Sequence, residues 1–292
     1  MQISPTQFLV TSVMFQPNLE TLQLRMSTDH TPKPYFHPLF EFHTPINVKI
    51  MRFLQVDKIS VLRTIGLAVS NAANLKELSI WADEDMELTL DSLFDSWQST
   101  FTYNLTSLDI RGFRGLGAAA AQSLWDRISP SNLRELTLQL VGDLRLPDGN
   151  EFWEESFKAG LRPLHLSSNL VNPGLTQFIA SFSGLRTFNI LPSNNPPAEL
   201  LLLVLQALQT QHSATLKVLA ICPQGLGTEY TLNNNIVSRI STGFPEIEEL
   251  RFGLSQLSTV SRFFSNSRRF LSILLKTCHL GNGICCLVLS QT

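Results

Sequence analysis

The chain has 292 residues, of which 43% are hydrophobic and 16% are charged. This composition is enough to bury a continuous core, and it excludes an intrinsically disordered chain. The formal net charge of −2 gives no bulk electrostatic attraction to nucleic acid or to an anionic membrane, so we expect neither as a partner.

The cysteines and the apolar segments predict the compartment. The four cysteines are Cys222, Cys278, Cys285 and Cys286. Three of them lie close to the C-terminus, which is not the spacing of a disulfide framework. The N-terminus has no basic residue before its apolar stretch, unlike a secretory signal, and the longest apolar run, Leu200 to Leu205, is far too short to span a membrane. We therefore expect a cytoplasmic or nuclear protein with reduced thiols.

The first predicted element is a helix near the N-terminus. Ser4 is a typical N-cap, and Pro5 suits the first helical position. Apolar residues follow at roughly helical spacing from Phe8 to Met14. This helix either caps an array of repeats or follows upstream residues that the sequence lacks, and we favour the second interpretation.

An apolar pattern then recurs nine times along the chain. Each unit has three apolar anchors, in the order apolar-x-x-apolar-x-apolar, and the first anchors are 24 to 31 residues apart. The second and third anchors are two residues apart, so they lie on one face of a short strand. The first anchors are Leu19, Val48, Leu75, Leu105, Leu133, Leu161, Leu185, Leu216 and Ile247. No unit can bury its anchors alone, so the pattern predicts stacked repeats.

Helical periodicity fills the segments between these strands. It is clearest in residues 59–73, 91–103, 117–128 and 197–209. A strand, a crossover helix and a second strand within about 28 residues predict parallel strands.

These residues resemble the leucine-rich repeats of the ribonuclease-inhibitor-like type, and most of all the divergent repeats of fungal F-box-associated proteins. The resemblance implies an α/β leucine-rich-repeat solenoid (a horseshoe) of about nine irregular repeats, with the parallel sheet on its concave face and the helices on its convex face. We expect residues 1–255 to form this solenoid. The family's asparagine three residues after the last strand leucine is in place at Asn169 but mostly replaced elsewhere, so we expect variable turns.

Residues 256–292 depart from the repeat. The segment from Val260 to Leu275 is helix-like, and Ile284, Leu287 and Leu289 predict one last strand. The offset of 37 residues between Ile247 and Ile284 is too long for the repeat period. We therefore expect a C-terminal helix followed either by a cap or by an irregular tail.

Four groups of residues could carry chemistry, and we interpret none of them as a site. The first is a possible zinc site of Cys278, His279, Cys285 and Cys286, which is disfavoured because adjacent cysteines face opposite sides of a strand. The second is the glycine run from Gly112 to Gly117, which is reversed from the dinucleotide fingerprint and suits a repeat turn. The third is the acidic loop of residues 83–87, which is typical of a solvated surface. We therefore expect no catalytic residue, cofactor or metal, and no enzyme.

The fourth group is the segment from Pro196 to Leu201, which is similar to the opening of an F-box. It lies in register between two repeat strands, where a convex helix belongs. The adaptor-binding module that precedes the repeats in F-box proteins is therefore not visible in this sequence.

The predicted partner site lies on the concave face, at the fifth and seventh positions of the first four strand units. An exposed tryptophan flanked by arginines is typical of an interface hot spot. The alternative is that Trp81 folds over the sheet end as ordinary packing. The predicted partner-binding residues are Arg25, Arg52, Leu54, Trp81, Asp109 and Arg111. We expect this surface to bind a protein segment, and the arginines favour an acidic one.

The sequence thus favours a monomeric protein–protein interaction module. The resemblance implies a substrate receptor of an F-box-type ubiquitin ligase, with a ligase adaptor as a second partner if upstream residues are missing. Two other interpretations remain open: a structural scaffold that uses its convex helices, and an enzyme with a site grafted on the repeats.

Overall fold

A computed structural model of the chain gives its fold. The chain divides into two compact units: unit 1 contains residues 1–135 and 140–161, and unit 2 contains residues 136–139 and 162–292. Both are α/β, with parallel strands and intervening helices, as the sequence predicts. The structure describes residues 19–25, 47–83, 88–94, 97, 102–114, 118–141, 148–190, 198–221, 234–253, 276–280 and 284–290.

Unit 1 contains four strands that pair in chain order and run parallel. Along each strand the side chains alternate between a buried face and a more exposed face, which we call the open face. The second strand confirms the unit predicted around Val48, Met51 and Phe53, all of which are buried. The strands are β1 (Thr21–Arg25), β2 (Ile50–Val56), β3 (Glu77–Ala82) and β4 (Ser107–Phe113).

Three of the four helices of unit 1 lie in predicted segments, although the one predicted over residues 91–103 is described only from Leu90 to Phe94, and the helix at Asp148–Lys158 was not predicted. Their apolar side chains complete the core, where the Trp125 and Phe152 ring centroids lie 5.9 Å apart and the Trp125 Nε1 donates to Ser156 Oγ at 3.2 Å. A 3-10 turn, Pro130–Asn132, precedes the next strand. The helices are α1 (Ile59–Ser70), α2 (Leu90–Phe94), α3 (Ala118–Arg127) and α4 (Asp148–Lys158).

Unit 2 contains most of β5 (Glu135–Leu140) and six further strands. Strands β6 to β9 pair in chain order and run parallel. The predicted last strand is confirmed as β11, but it is antiparallel to β9 and to β10, which explains why it breaks the repeat period. The strands are β6 (His165–Ser168), β7 (Thr187–Ile190), β8 (Val218–Ile221), β9 (Glu249–Gly253), β10 (Lys276–Leu280) and β11 (Ile284–Ser290).

The helices of unit 2 are α5 (Pro173–Ala180), α6 (Ala198–His212) and α7 (Asn234–Gly243). The start of α5 is well defined because Asn172 caps it: the Asn172 side chain accepts a hydrogen bond from the Leu175 N–H at 2.8 Å, and proline occupies the first turn. The helices predicted near Ser4 and at Val260–Leu275 lie outside the described residues.

The repeat anchors form the core of both units. Nearly all of the described first, second and third anchors are less than 9% exposed. Asn169 is only 3% exposed, and its N–H donates to the Leu138 carbonyl at 3.2 Å. The apolar skeleton read from the sequence is therefore the hydrophobic core of this fold.

The register that the sequence predicts for the sixth repeat is wrong. The sequence pattern places Leu164 and Leu166 at the second and third anchors of the sixth unit, but Leu166 pairs with Phe188 and Ser168 pairs with Ile190. The anchors of this unit are therefore shifted by two residues, and Asn169 directly follows the third anchor instead of lying three residues after it. Ser168 is 1% exposed and fills the position of an apolar residue, because its hydroxyl accepts a hydrogen bond from the Leu170 N–H at 3.0 Å.

Candidate functional site

The open face of unit 1 carries the residues predicted to bind a partner. The pairing of the strands places Arg25, Leu54, Trp81 and Arg111 in one row across the sheet. A second row contains Gln23, Arg52, Ser79 and Asp109. The predicted alignment of these residues is confirmed.

Trp81, Asp109 and Arg111 form a connected group, which we call the Trp81 cluster. The Trp81 indole Nε1 donates to Asp109 Oδ2 at 3.0 Å. The Arg111 guanidinium donates to both oxygens of the same carboxylate, from Nε at 2.8 Å and from Nη2 at 3.0 Å. The Arg111 Cζ also lies 4.3 Å from the centroid of the Trp81 ring, in a cation–π contact. Each member of the cluster thus contacts the other two.

The Trp81 ring of the cluster is exposed, and its neighbours hold it in a defined position. Trp81 is 37% exposed, whereas the other three tryptophans of the chain are at most 8% exposed. The Asp109 side chain is only 16% exposed, so its hydrogen bonds are partly shielded from water. A bidentate arginine–carboxylate pair has a fixed geometry, and it fixes the plane that stacks on the indole. The cluster therefore presents a large aromatic surface in a defined orientation.

The backbone around the cluster is shaped by two unusual residues. Gly112 follows Arg111 with a φ of +77°, and a Cβ at this position would lie 2.3 Å from the Ala82 carbonyl oxygen. Only glycine permits this close approach of β4 to β3. On the other side, Gln55 has a φ of 59° and marks a register shift directly after Leu54. Both distortions lie one residue beyond this row along their strands, so they mark where the regular strand pairing ends beside the candidate surface.

The other predicted residues lie beside the cluster. Leu54 is half-buried and is the cross-strand partner of Trp81, so it extends the apolar part of the surface. Arg52 forms an ion pair with Glu77, with 3.6 Å between Nη2 and Oε2 and both side chains more than 40% exposed. Such an exposed pair contributes little to stability. Arg25 lies at its predicted backbone position, in register with Leu54.

Two carboxylates, Glu77 and Asp109, make this surface less basic than the sequence indicated. Both predicted arginines whose side chains are described, Arg52 and Arg111, face a carboxylate. The arginine row taken alone suggested a basic surface. Each of these two cations is therefore compensated by a neighbouring carboxylate, and Trp81 is an exposed aromatic ring beside them.

The open face of unit 2 is more polar. His165 Nδ1 lies 2.9 Å from Thr187 Oγ1, and the Asn189 side-chain amide donates to Ser167 Oγ at 2.8 Å. The sequence reasoning missed both pairs, because the wrong register of the sixth repeat placed these residues in different rows. Farther along, Arg251 pairs with Glu249 at 2.6 Å.

His212 is a buried titratable residue of unit 2, and it links three elements. Its Nδ1 accepts a hydrogen bond from the Leu185 N–H at 3.1 Å, so Nε2 carries the proton and donates to the Ile179 carbonyl at 3.0 Å. The Phe182 ring packs on it, with 5.0 Å between the ring centroids. Burial lowers the pKa of His212 below its ordinary value, and the hydrogen bond to Ile179 offsets part of this. This environment suits a neutral structural histidine.

In the part of the chain that the structure describes, no group of three or more His, Cys, Asp or Glu residues is arranged to hold a metal ion. Most of the acidic loop and the glycines after Gly112 fall outside that part. No helix within it is both long enough and apolar enough to cross a lipid bilayer.

Comparison with known proteins adds no functional assignment. Neither a protein-family model nor a curated protein matches the chain. The geometry of the open face is therefore what a functional proposal must rest on.

Proposed function

We propose that the chain is a protein–protein interaction module, and that the open face of unit 1 binds a segment of another protein through the Trp81 cluster. The observation that carries this proposal is the 37% exposure of a tryptophan that Asp109 and Arg111 hold in place. Tryptophan and arginine are the residues most enriched in interface hot spots. A side chain that is already ordered loses less conformational entropy on binding, which favours affinity.

The chemistry of the cluster specifies the partner. A partner carboxylate that approaches Arg111 would be repelled by Asp109, and near Arg52 it would meet Glu77. The acidic segment expected from the sequence is therefore not the partner that these charges favour. The proposed partner segment is neutral, and it places an aromatic or aliphatic side chain against the Trp81 ring and Leu54.

The repeats support a more specific form of the proposal. The spacing of the anchors and the parallel α/β arrangement resemble those of leucine-rich-repeat proteins, and we propose that architecture for the chain. On this assignment the chain acts as the substrate-recognition part of an F-box-type ubiquitin ligase. The scaffold alternative places the partner on the helices, where Phe157 of α4 is 56% exposed.

The first experiment compares two exposed aromatic residues of unit 1. The tagged wild-type chain, Trp81→Ala and Phe157→Ala are used to capture partners from cytoplasmic and nuclear extracts of the source cells, with quantification by mass spectrometry. A partner that docks on the open face is lost with Trp81→Ala and retained with Phe157→Ala. The reverse pattern contradicts the proposal and supports a helix-face scaffold. Recovery of a cullin-type ligase and its adaptor would assign the chain to a substrate receptor.

The affinity of the purified partner for each variant then measures how much the Trp81 cluster contributes to binding. We expect Trp81→Ala to weaken the affinity by about 30-fold, because hot-spot side chains contribute about 2 kcal/mol or more. Asp109→Ala should weaken it less, since the ring remains but is no longer positioned. Wild-type affinity in the Trp81 variant would exclude the cluster as the binding site.

A further inference from the structure

The C-terminal hairpin of unit 2 brings two cysteines into register. Strands β10 and β11 are antiparallel, and Cys278 is the direct cross-strand partner of Cys286. His279 is likewise opposite Cys285. Strand β11 also pairs with β9, where Cys286 is opposite Gly253, so the hairpin register is fixed on both sides of β11.

The spacing of directly opposed residues suits a covalent link. In an antiparallel pair their Cα atoms are about 4.5 to 5.5 Å apart, depending on whether the pair is hydrogen-bonded. A disulfide bond accepts Cα separations of about 4.4 to 6.8 Å. Both types of ladder position therefore fall within the permitted range.

The register also selects one pairing among the three cysteines of the hairpin. Successive residues of a strand lie on opposite faces, so Cys285 and Cys286 do not share a face. Cys278 shares its face with Cys286, whereas Cys285 shares its face with His279. A pairing between Cys278 and Cys285 would require the strands to slip by one residue, which would also displace the pairing with β9.

We infer that Cys278 and Cys286 form an intramolecular disulfide when the protein meets a low-molecular-weight disulfide such as oxidised glutathione. One cysteine thiolate attacks the glutathione disulfide, which forms a mixed disulfide and releases one glutathione thiolate. The second cysteine thiolate attacks the protein sulfur of that mixed disulfide and releases the other. The two protein thiols lose two electrons and two protons, and oxidised glutathione becomes two thiols.

The experiment uses the full-length chain in glutathione buffers of increasing oxidation, with free thiols counted by alkylation and mass spectrometry. The wild type should lose two of its four thiols as a monomer without a glutathione adduct. Cys285→Ser and Cys222→Ser should also lose two, whereas Cys278→Ser and Cys286→Ser should not form the bond. Chymotryptic cleavage after Leu280 separates Cys278 from the other two and identifies the linked peptides.

The same reaction in about 6 M urea, which unfolds the chain, tests whether the strand register causes Cys278 to prefer Cys286. In the folded chain Cys278 should link to Cys286 at least about tenfold more often than to Cys285, and unfolding should abolish this preference, because only the folded register separates the two. Retention of all four thiols by the folded chain in oxidised glutathione would overturn the inference. So would a bond that survives in Cys286→Ser and is lost in Cys285→Ser.

Discussion

Asp109 is the residue on which the geometry of the candidate site depends. Its two oxygens accept hydrogen bonds from Trp81 and Arg111, so a single carboxylate fixes the orientation of both. Without it, the guanidinium would be an exposed cation on a flexible stem and the indole would have no polar partner within the cluster. An exposed tryptophan on a sheet needs such support to be a defined recognition surface.

Gly112 provides a residue-scale test of the backbone beneath the cluster. Gly112→Ala should lower the free energy of unfolding by about 3 kcal/mol or more, because it combines a positive φ with a Cβ placed against the Ala82 carbonyl. Gly160→Ala is the matched control: its φ is also +77°, but a Cβ there meets nothing within 4 Å. The control should lose only about 1 to 2 kcal/mol.

The measurement is urea denaturation of both variants, followed by circular dichroism. The difference between them isolates the contact between β4 and β3 from the strain of the left-handed backbone. Equal losses in the two variants would show that this contact does not matter for stability.

At the scale of elements, His212 connects the end of α6 to α5 and to the segment before β7. Because burial lowers its pKa in the folded chain, the unfolded chain binds a proton at this residue more readily. Stability from His212 is therefore fully present above the ordinary histidine value of about 6.5 and is lost as the pH falls below it. We therefore expect the free energy of unfolding to be lower at pH 5.5 than at pH 7.5.

His212→Gln is the control for the pH dependence. Its amide offers a donor and an acceptor but does not titrate, so the variant should have a smaller decrease in unfolding free energy between the two pH values. Every other titrating group is common to both proteins and cancels in the comparison. An unchanged pH dependence in the variant would assign the effect to other residues.

The elements also show what the sequence could and could not predict. Periodicity placed the strands and most helices, since burial requires apolar residues at fixed intervals. It misplaced β6, where a slip of two residues leaves every side chain on its original face and so leaves the alternating pattern unchanged. The pattern misleads here because Ser168, a polar residue, occupies the third anchor position and is buried.

The candidate site was predicted in position but not in chemistry. Strand register follows from the anchors, so the row of Leu54, Trp81 and Arg111 could be read from the sequence. The hydrogen bonds of Asp109 depend on side-chain rotamers, which no periodic pattern encodes. The sequence therefore indicated exposed cations where Arg52 and Arg111 each pair with a carboxylate.

At the scale of the whole molecule, the net charge of −2 and the paired charges of the site predict how binding responds to salt. Association that depends on steering between opposite charges weakens steeply as salt screens them. Docking onto the Trp81 ring and Leu54 buries mainly apolar surface, which salt does not screen. The affinity should therefore change by less than about threefold between about 50 and 300 mM sodium chloride.

Titration of the purified partner by calorimetry at these two salt concentrations separates the two kinds of partner. A decrease of about tenfold or more would identify an acidic segment that binds Arg111. Arg111→Gln distinguishes the outcomes further, since it removes the cation but keeps a polar side chain near the ring. If the partner is neutral, this variant keeps the weak salt dependence and loses only the affinity contributed by the ordered indole. If the partner is acidic, the variant abolishes a strong salt dependence.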